Sequence, residues 1–171
     1  KNSDEFTRLF LPQITFAPKT FINGNFNSIS NQLVFNGNSS KLTFGNLVFK
    51  NLNAEANSST QFKFNTSCEK FYLTDSTWLS DFEIVTNTNS DSTNFGLVWD
   101  NKTKKKSQGD LSAIIHFNPD LIKVNILPSQ FYFTDSVWNI TGGNNIVFDS
   151  TRMTINKLIL VHDNQMIGLN G

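Results

Sequence analysis

Two aspartates in a repeated octapeptide are the first candidates for chemistry. Asp75 and Asp135 occupy the same position in segments 71–78 and 131–138, which share six of their eight residues. Two carboxylates about 5–9 Å apart could hydrolyse a glycosidic bond. Alternatively, each Thr-Asp-Ser forms a turn whose side chains bond its own backbone. We favour the turn, because stacked coils would place the two aspartates about 15 Å apart.

A run of lysines is the densest cluster of charge in the chain. Lys102, Lys104, Lys105 and Lys106 lie between two apolar segments, just after Trp99. A basic loop tip can contact sulfated glycans, anionic lipid headgroups or nucleic acid, although such runs are more often solvated loops. These four lysines and Trp99 form the predicted binding site.

The aromatic residues other than phenylalanine allow two interpretations. Their faces can stack on sugar rings and line a carbohydrate-binding surface. In a phenylalanine-rich β-fold they more often pack in the core. Both interpretations stay open for the three tryptophans and two tyrosines, which are Trp78, Trp99, Trp138, Tyr72 and Tyr132.

The remaining reactive residues give little support for catalysis. His116 and His162 are too few and too far apart in sequence for a metal site. Cys68 is the only cysteine, so we expect a buried small apolar side chain rather than a disulfide within the chain. The short motifs of phosphate loops, serine hydrolases and zinc proteases do not occur. We predict no catalytic residue, no metal and no cofactor, and hence a non-enzymatic protein.

The composition points to an all-β protein. Phenylalanine occurs 17 times, and asparagine, serine and threonine dominate the polar residues, whereas good helix formers are scarce. The 14 basic and 14 acidic side chains balance, which disfavours nucleic acid as a partner. No apolar run reaches the roughly 18 residues of a transmembrane helix. The chain starts at Lys1 without a signal peptide, so we expect a fragment of a longer protein.

Short alternating segments predict the strands. Polar and apolar residues alternate in several of the segments, which is typical of strands with one buried face. Asparagine, glycine and serine favour turns between them. The segments 94–100 and 111–117 flank the lysine run and predict a β-hairpin. Early strands are predicted at 32–35, 41–44, 47–49 and 61–64, with breaks at 36–40, 45–46 and 57–59.

The octapeptide repeat suggests how the strands are arranged. Its offset of 60 residues fits about three solenoid coils of some 20 residues each. We therefore predict that residues 1–171 form a single segment of a right-handed parallel β-helix with a protruding hairpin, in which aromatic side chains stack between coils. The alternative is an antiparallel β-sandwich or jelly roll, in which the two octapeptides pair as neighbouring strands.

A resemblance to a known family supports the solenoid. Residues 21–44, FINGNFNSISNQLVFNGNSSKLTF, resemble the passenger domains of autotransporters, above all the Asn- and Phe-rich passengers of vacuolating-cytotoxin-like bacterial surface proteins. The resemblance implies a parallel β-helix, export through the outer membrane, and a host-cell receptor or glycan as partner. The predicted function is thus a secreted or cell-surface module for adhesion, host interaction or toxin delivery. The alternative is a carbohydrate-binding or polysaccharide-degrading β module.

Overall fold

The structure, a computed structural model, describes residues 13–59, 61–101, 107–133 and 136–171, without the side chains of residues 101 and 133. These residues form strands, turns and bends and no helix, so the all-β prediction is confirmed. Over the same ranges, no helix long and apolar enough to span a membrane is present. The chain divides into two compact units, residues 1–83 and 84–171, and each is described by itself.

The first unit is built on one antiparallel sheet. In this sheet β3 lies next to β4, and β4 lies next to β5. The other side of β3 pairs with β2 along its first half and with β1 at its end. The strands are β1 (Ile14–Phe16), β2 (Phe21–Asn27), β3 (Gln32–Phe44), β4 (Leu47–Asn57) and β5 (Phe62–Tyr72), followed by β6 (Trp78–Asn89), which continues past the unit boundary.

The direction of the strands contradicts the parallel β-helix. All the described strand pairs of both units are antiparallel. A tight turn at 45–46 joins β3 to β4, and a turn this short can only reverse the chain, because a parallel pair needs a long crossover. The prediction of a right-handed parallel β-helix is therefore wrong. Antiparallel pairing agrees with the alternative prediction, but the described residues of either unit do not form the two separate sheets of a jelly roll.

The predicted break at 36–40 is also wrong, because β3 runs through it without interruption. The ring of Phe35 covers the glycine in this segment: a β-carbon added to Gly37 would lie 3.2 Å from Phe35 Cζ. The glycine thus makes room for an aromatic side chain and does not turn the chain. The break at 45–46 is confirmed, with Gly45 at φ 58°, as is the end of β4 at Asn57.

The strands of the first unit change their alternation at one point. In β3, half-buried positions have odd numbers up to residue 39, whereas the next half-buried apolar side chain is Leu42. The pairing continues unchanged on both sides, from Ser39 opposite Leu52 to Lys41 opposite Lys50. In β4, Asn51 adopts φ 52° at this level. Such a residue reverses the alternation of side chains between the two faces of a strand.

An aromatic row forms the centre of the first unit. The rings of Phe49 and Phe71 stack with centroids 4.6 Å apart, and the ring of Phe82 lies 4.8 Å from that of Phe71. Leu42 is opposite Phe49 and extends the row to β3. Aromatic side chains therefore stack across antiparallel strands, and not between parallel coils as the sequence predicts.

The second unit contains a sheet that divides into two branches at β8. The end of β8 pairs with β9, which continues to β12 and β13. Its start pairs with β10, which continues to β11, β14 and β15. The strands are β7 (Ser92–Asn101), β8 (Ser107–Phe117), β9 (Leu121–Ile126), β10 (Ser129–Phe133), β11 (Ser136–Ile140), β12 (Asn145–Asp149), β13 (Met153–Asn156), β14 (Leu158–His162) and β15 (Gln165–Leu169).

The predicted hairpin around the lysine run is confirmed. Its arms, β7 and β8, pair over ten residues, from Ser92 opposite His116 to Asn101 opposite Ser107. Further along, the division of the sheet is held by buried polar side chains. The Ser129 hydroxyl accepts the N–H of Ser112 at 2.9 Å and donates to the carbonyl of Leu127 at 2.8 Å.

Each copy of the repeated octapeptide forms its own hairpin. In the first copy, the N–H of Leu73 donates to the carbonyl of Thr77 at 2.9 Å. In the second copy, Phe131 is opposite Trp138. The repeat is therefore a hairpin sequence, and its offset does not count solenoid coils. The two copies also differ in register by one residue, which changes the side chain that each tryptophan meets.

Candidate binding face

Six polar side chains share one face of the first unit. Directly opposite residues, and residues two apart in a strand, lie on the same side of a sheet. Two cross-strand rows can be followed over β3, β4 and β5 in this way. We call these residues the amide face; they are Asn36, Glu55 and Asn65 in one row and Asn38, Asn53 and Ser67 in the next.

The amide face forms the floor of an open depression. Its volume is about 370 Å³, and all of the residues that line it belong to the first unit. Phe21 lies at one side, opposite Asn38, with 54% of its surface exposed. Glu83 of β6 also lines the depression. The site thus combines amides, two carboxylates and one exposed aromatic ring.

The hydrogen bonds of the face leave much of its capacity available for a ligand. Asn65 Nδ2 donates to Glu55 Oε1 at 3.1 Å, which fixes the carboxylate beside the amide. An amide side chain has two N–H donors and one acceptor oxygen, and an ionised carboxylate has two acceptor oxygens. The described lining residues include the carboxylates of Glu55 and Glu83 and no lysine or arginine, whereas Lys63 lines a neighbouring depression with Asn36, Glu55 and Asn65. The site is therefore suited to a ligand rich in hydroxyl groups and poor in negative charge.

The opposite side of the same strands explains why the amides align. Phe35, Ala56 and Phe64 form a cross-strand row between the positions of the amide face. Ala56 is buried, and the two rings are half-buried. A shift of one residue would bring this apolar row to the amide side and expose it to water. Burial on one face thus fixes the register that aligns the amides on the other.

None of the predicted binding residues is among the six residues of the amide face. Lys102, Lys104, Lys105 and Lys106 lie outside the described residues, so the basic-tip prediction stays a prediction. Trp99 belongs to the second unit and is half-buried. Its Nε1 donates to Ser107 Oγ at 3.1 Å, and its ring covers Gly109.

The other tryptophans and tyrosines also pack against protein side chains. Tyr72 and Trp78 lie 6.1 Å apart across the first octapeptide hairpin. The ammonium group of Lys50 lies 5.1 Å from the centre of the Tyr72 ring, in a cation–π contact. In the second unit, Trp138 lies 5.5 Å from the ring of His162. These contacts favour packing over an aromatic sugar platform.

The octapeptide aspartates do not form a described carboxylate pair. Asp75 is exposed in a turn in which Thr74 Oγ1 accepts the N–H of Thr77 at 3.0 Å. Asp135 lies outside the described residues. Of the two histidines, His162 contacts the carbonyl of Val137 through Nδ1 at 2.9 Å. Over the described part of the chain, no cluster of three or more His, Cys, Asp or Glu could hold a metal.

Cys68 is buried as predicted, with 4% of its surface exposed. Burial disfavours the charged thiolate and raises the pKa of the thiol from 9.0 to about 11. A thiol that stays protonated at neutral pH is a poor nucleophile. Cys68 therefore belongs to the core of the first unit.

The amide face was not predicted, because its asparagines resemble turn residues. Segment 36–40 has the composition of a loop, and this obscures the alternation of exposed and covered residues from Asn36 to Ser39. The signal was the regular placement of Asn36 and Asn38 between Phe35, Gly37 and Ser39. Such a spacing of two indicates one polar and one covered face of a strand.

Comparison with known proteins gives no match. No family model matches the chain, and no curated protein or solved structure is significantly similar to it. The resemblance to autotransporter passengers therefore rests on sequence alone, over about residues 20–90 and 125–165.

Proposed function

We propose that this chain is a non-enzymatic bacterial module, secreted or held at the cell surface, that serves adhesion or host interaction by binding a glycan on the amide face. The observation that carries the proposal is the pair of cross-strand rows, in which amides and a carboxylate lie side by side on an exposed sheet. The resemblance of residues 21–44 to bacterial passenger domains supports the location at the outer membrane.

The spacing of the rows suits an extended ligand. Neighbouring strands lie about 4.8 Å apart, so each row offers polar groups at a regular interval. Sugar hydroxyls both donate and accept hydrogen bonds, and amides match both roles. Phe21 supplies an apolar surface beside the polar floor, which can cover the carbon-bound face of a sugar ring. A single exposed sheet therefore provides both kinds of contact that a sugar needs.

The charge of the site limits the ligand. Two carboxylates, Glu55 and Glu83, line the depression and outnumber Lys63, which lines a neighbouring depression with Asn36 and Glu55, so sulfated or carboxylated sugars are disfavoured. We expect a neutral glycan, whose binding changes little with salt concentration. Binding of an anionic glycan to the lysine run would instead weaken as the salt concentration rises, since salt screens exposed charges.

A polysaccharide-degrading module is the second candidate. The same two carboxylates line one depression, and most glycosidases use a pair of acidic residues at the bond that they cleave. Release of reducing ends from a panel of neutral polysaccharides would favour this candidate, provided that Glu55→Gln abolishes the release. Binding without any turnover would favour the adhesion module.

The test is a glycan array with the full chain, followed by calorimetry on the neutral glycans that bind. The variant N36A/N53A removes one amide from each row, and we expect at least about a tenfold loss of affinity. Asn94→Ala is the matched control, because Asn94 is an exposed strand asparagine of the second unit. Unchanged affinity in N36A/N53A, or loss only when the four lysines are replaced, would overturn the amide face as the site.

A further inference from the structure

The strand β2 forms an exposed edge of the first unit. All seven of its residues are exposed, including Phe21 at 54%, Ile22 at 50% and Phe26 at 61%. It pairs with β3 on one side, and no described residue pairs with it on the other. Natural edge strands are usually protected by charges, proline or a bulge. The seven residues of β2 contain neither a charged residue nor proline.

The register shows which backbone groups face outward. Leu33 of β3 donates its N–H to Ser58 Oγ at 2.7 Å, and its carbonyl accepts the N–H of Ser58 at 3.0 Å. Leu33 therefore directs both groups away from its partner Phe26. Leu33 and Phe26 therefore form a non-hydrogen-bonded pair. Along two antiparallel strands, such pairs alternate with hydrogen-bonded pairs. The N–H and C=O groups of Ile22, Gly24 and Phe26 consequently point to the exposed edge.

The sequence of this edge is symmetric about Gly24. Residues 22–26 read Ile-Asn-Gly-Asn-Phe. If a second copy lies antiparallel to this strand with the two Gly24 residues opposite each other, residues of the same kind are paired. Ile22 of one copy then lies opposite Phe26 of the other, and Asn23 lies opposite Asn25. We propose that two copies of this chain associate through β2, with a two-fold axis at Gly24.

The outward N–H and C=O groups of Ile22, Gly24 and Phe26 can all form hydrogen bonds across this two-fold axis. With Gly24 opposite Gly24, the three pairs formed by residues 22, 24 and 26 are hydrogen-bonded pairs, and each pair exchanges two bonds. The three N–H and three C=O groups of each edge are then all satisfied. A register shifted by one residue would bring odd-numbered residues, whose groups already bond to β3, opposite the outward groups of the other copy. The symmetric register satisfies the whole edge.

Both faces of the sheet also continue across the proposed axis. Gly24 and Phe26 lie opposite Phe35 and Leu33, so the even-numbered residues of β2 extend the apolar side. Ile22 and Phe26 of the two copies would cover one another there. On the other side, Asn23 lies opposite Asn36 and continues a row of the amide face. The association does not depend on glycan binding.

An exposed edge strand of the second unit lacks the full symmetry of β2. The strand β15 is fully exposed, with Met166 at 70% and Ile167 at 47%. In its sequence Gln-Met-Ile-Gly-Leu, only Ile167 and Leu169 form a matched pair, about Gly168, and no matched polar pair accompanies them. Exposed apolar side chains on β15 therefore provide a control for non-specific association.

Sedimentation velocity of the full chain over a concentration series tests the proposal. We expect a reversible monomer–dimer equilibrium in the native chain. In I22K/F26K the introduced lysines face each other twice across the axis, and like charges directly opposite are destabilising, so we expect a monomer. In I22K/F26E each lysine faces a glutamate, and the dimer returns. Met166→Lys is the matched control and leaves the equilibrium unchanged.

A disulfide test locates the axis. In a hydrogen-bonded pair the α-carbons lie about 5.5 Å apart, within the range that a disulfide can bridge. In a Cys68→Ala background, Gly24→Cys should form a covalent dimer with glutathione disulfide as oxidant. The matched control Phe21→Cys should not, since the two positions would lie about 20 Å apart. A native chain that stays monomeric, a dimer that survives I22K/F26K, or equal cross-linking of both cysteine variants would overturn the proposal.

Discussion

The indole ring of Trp99 lies across Gly109, its partner in the opposing strand of the β7–β8 hairpin. Gly109 is buried because the ring takes the space that a side chain would need. The indole N–H is satisfied by Ser107. An aromatic side chain that covers a strand glycine protects an otherwise weak position. Trp99 therefore stabilises the hairpin, and this explains why it is not free to bind a ligand.

The contact between Trp99 and Gly109 predicts a large difference between two glycine substitutions. In Gly109→Ala the new methyl group would overlap the indole ring, so we expect destabilisation of about 1–3 kcal/mol. Gly168→Ala in β15 is the control, because no atom lies within 4 Å of the added carbon. Urea unfolding of both variants measures the difference. Equal stability of the two variants would show that the packing of the Trp99 ring does not require a glycine at position 109.

Asn144 holds together the branching sheet of the second unit. Only 2% of its surface is exposed. Its Nδ2 donates to the carbonyls of Ile126 at 2.9 Å and Thr141 at 2.8 Å, and its Oδ1 accepts the N–H of Ile126 at 3.0 Å. The side chain therefore replaces backbone partners that the division of the sheet removes.

Removal of the Asn144 amide should be costly. Asn144→Ala leaves buried backbone groups without partners, and each such group costs about 1–3 kcal/mol. We expect a clear fall in the urea midpoint, whereas the exposed Asn94→Ala should change it little. Hydrogen exchange at the Ile126 amide provides a local measurement, since that N–H loses its acceptor. Unchanged protection of Ile126 would contradict the role assigned to Asn144.

The sequence was sufficient to predict the local structure where alternation and turn residues agree. The hairpin arms at 94–100 and 111–117 were predicted because apolar runs flank a polar loop. The turn at 45–46 was predicted because Gly45 tolerates positive φ, and it adopts φ 58°. These features depend on neighbouring residues alone. The all-β class follows from the same local preferences.

The arrangement of strands could not be predicted from the same patterns. Alternation shows that a strand has a covered face, but it does not show whether its neighbours are parallel. The similarity of segments 71–78 and 131–138 suggests coils only if a repeated sequence occupies a repeated position in a stack. The amide face was missed for a related reason, since Asn36 and Asn38 favour turns in isolation. Burial of Phe35 on the opposite side keeps these asparagines in a strand.

Asn51 tests whether positive φ is required where the alternation reverses. It adopts φ 52° within β4, and its Nδ2 donates to Glu69 Oε2 at 2.6 Å. Asn51→Gly and Asn51→Ala both lose this bond, so the difference between them isolates the backbone. A left-handed conformation costs a residue with a β-carbon roughly 1–2 kcal/mol. We expect the alanine variant to be less stable by about that amount, as measured by urea unfolding. Equal stability would show that β4 can pass this point without a left-handed residue.

Burial of Cys68 predicts both its reactivity and a dependence of stability on pH. The folded thiol has a pKa of about 11 in place of 9.0. Because the thiolate is the reacting form, alkylation at pH 8.5 should be far slower in the folded chain than in urea. The raised pKa means that the unfolded thiol loses its proton first as the pH rises. The contribution of Cys68 to stability is thus complete below pH 9 and declines towards pH 11.

The pH dependence is measured by comparing the native chain with Cys68→Ala. Lysines and tyrosines titrate over the same range in both proteins, so they cancel in the comparison. We expect the free energy of unfolding to fall more steeply between pH 9 and pH 11 in the native chain than in the variant. Parallel pH profiles, together with rapid alkylation of the folded chain, would mean that the Cys68 thiol is accessible to water and is not part of the core.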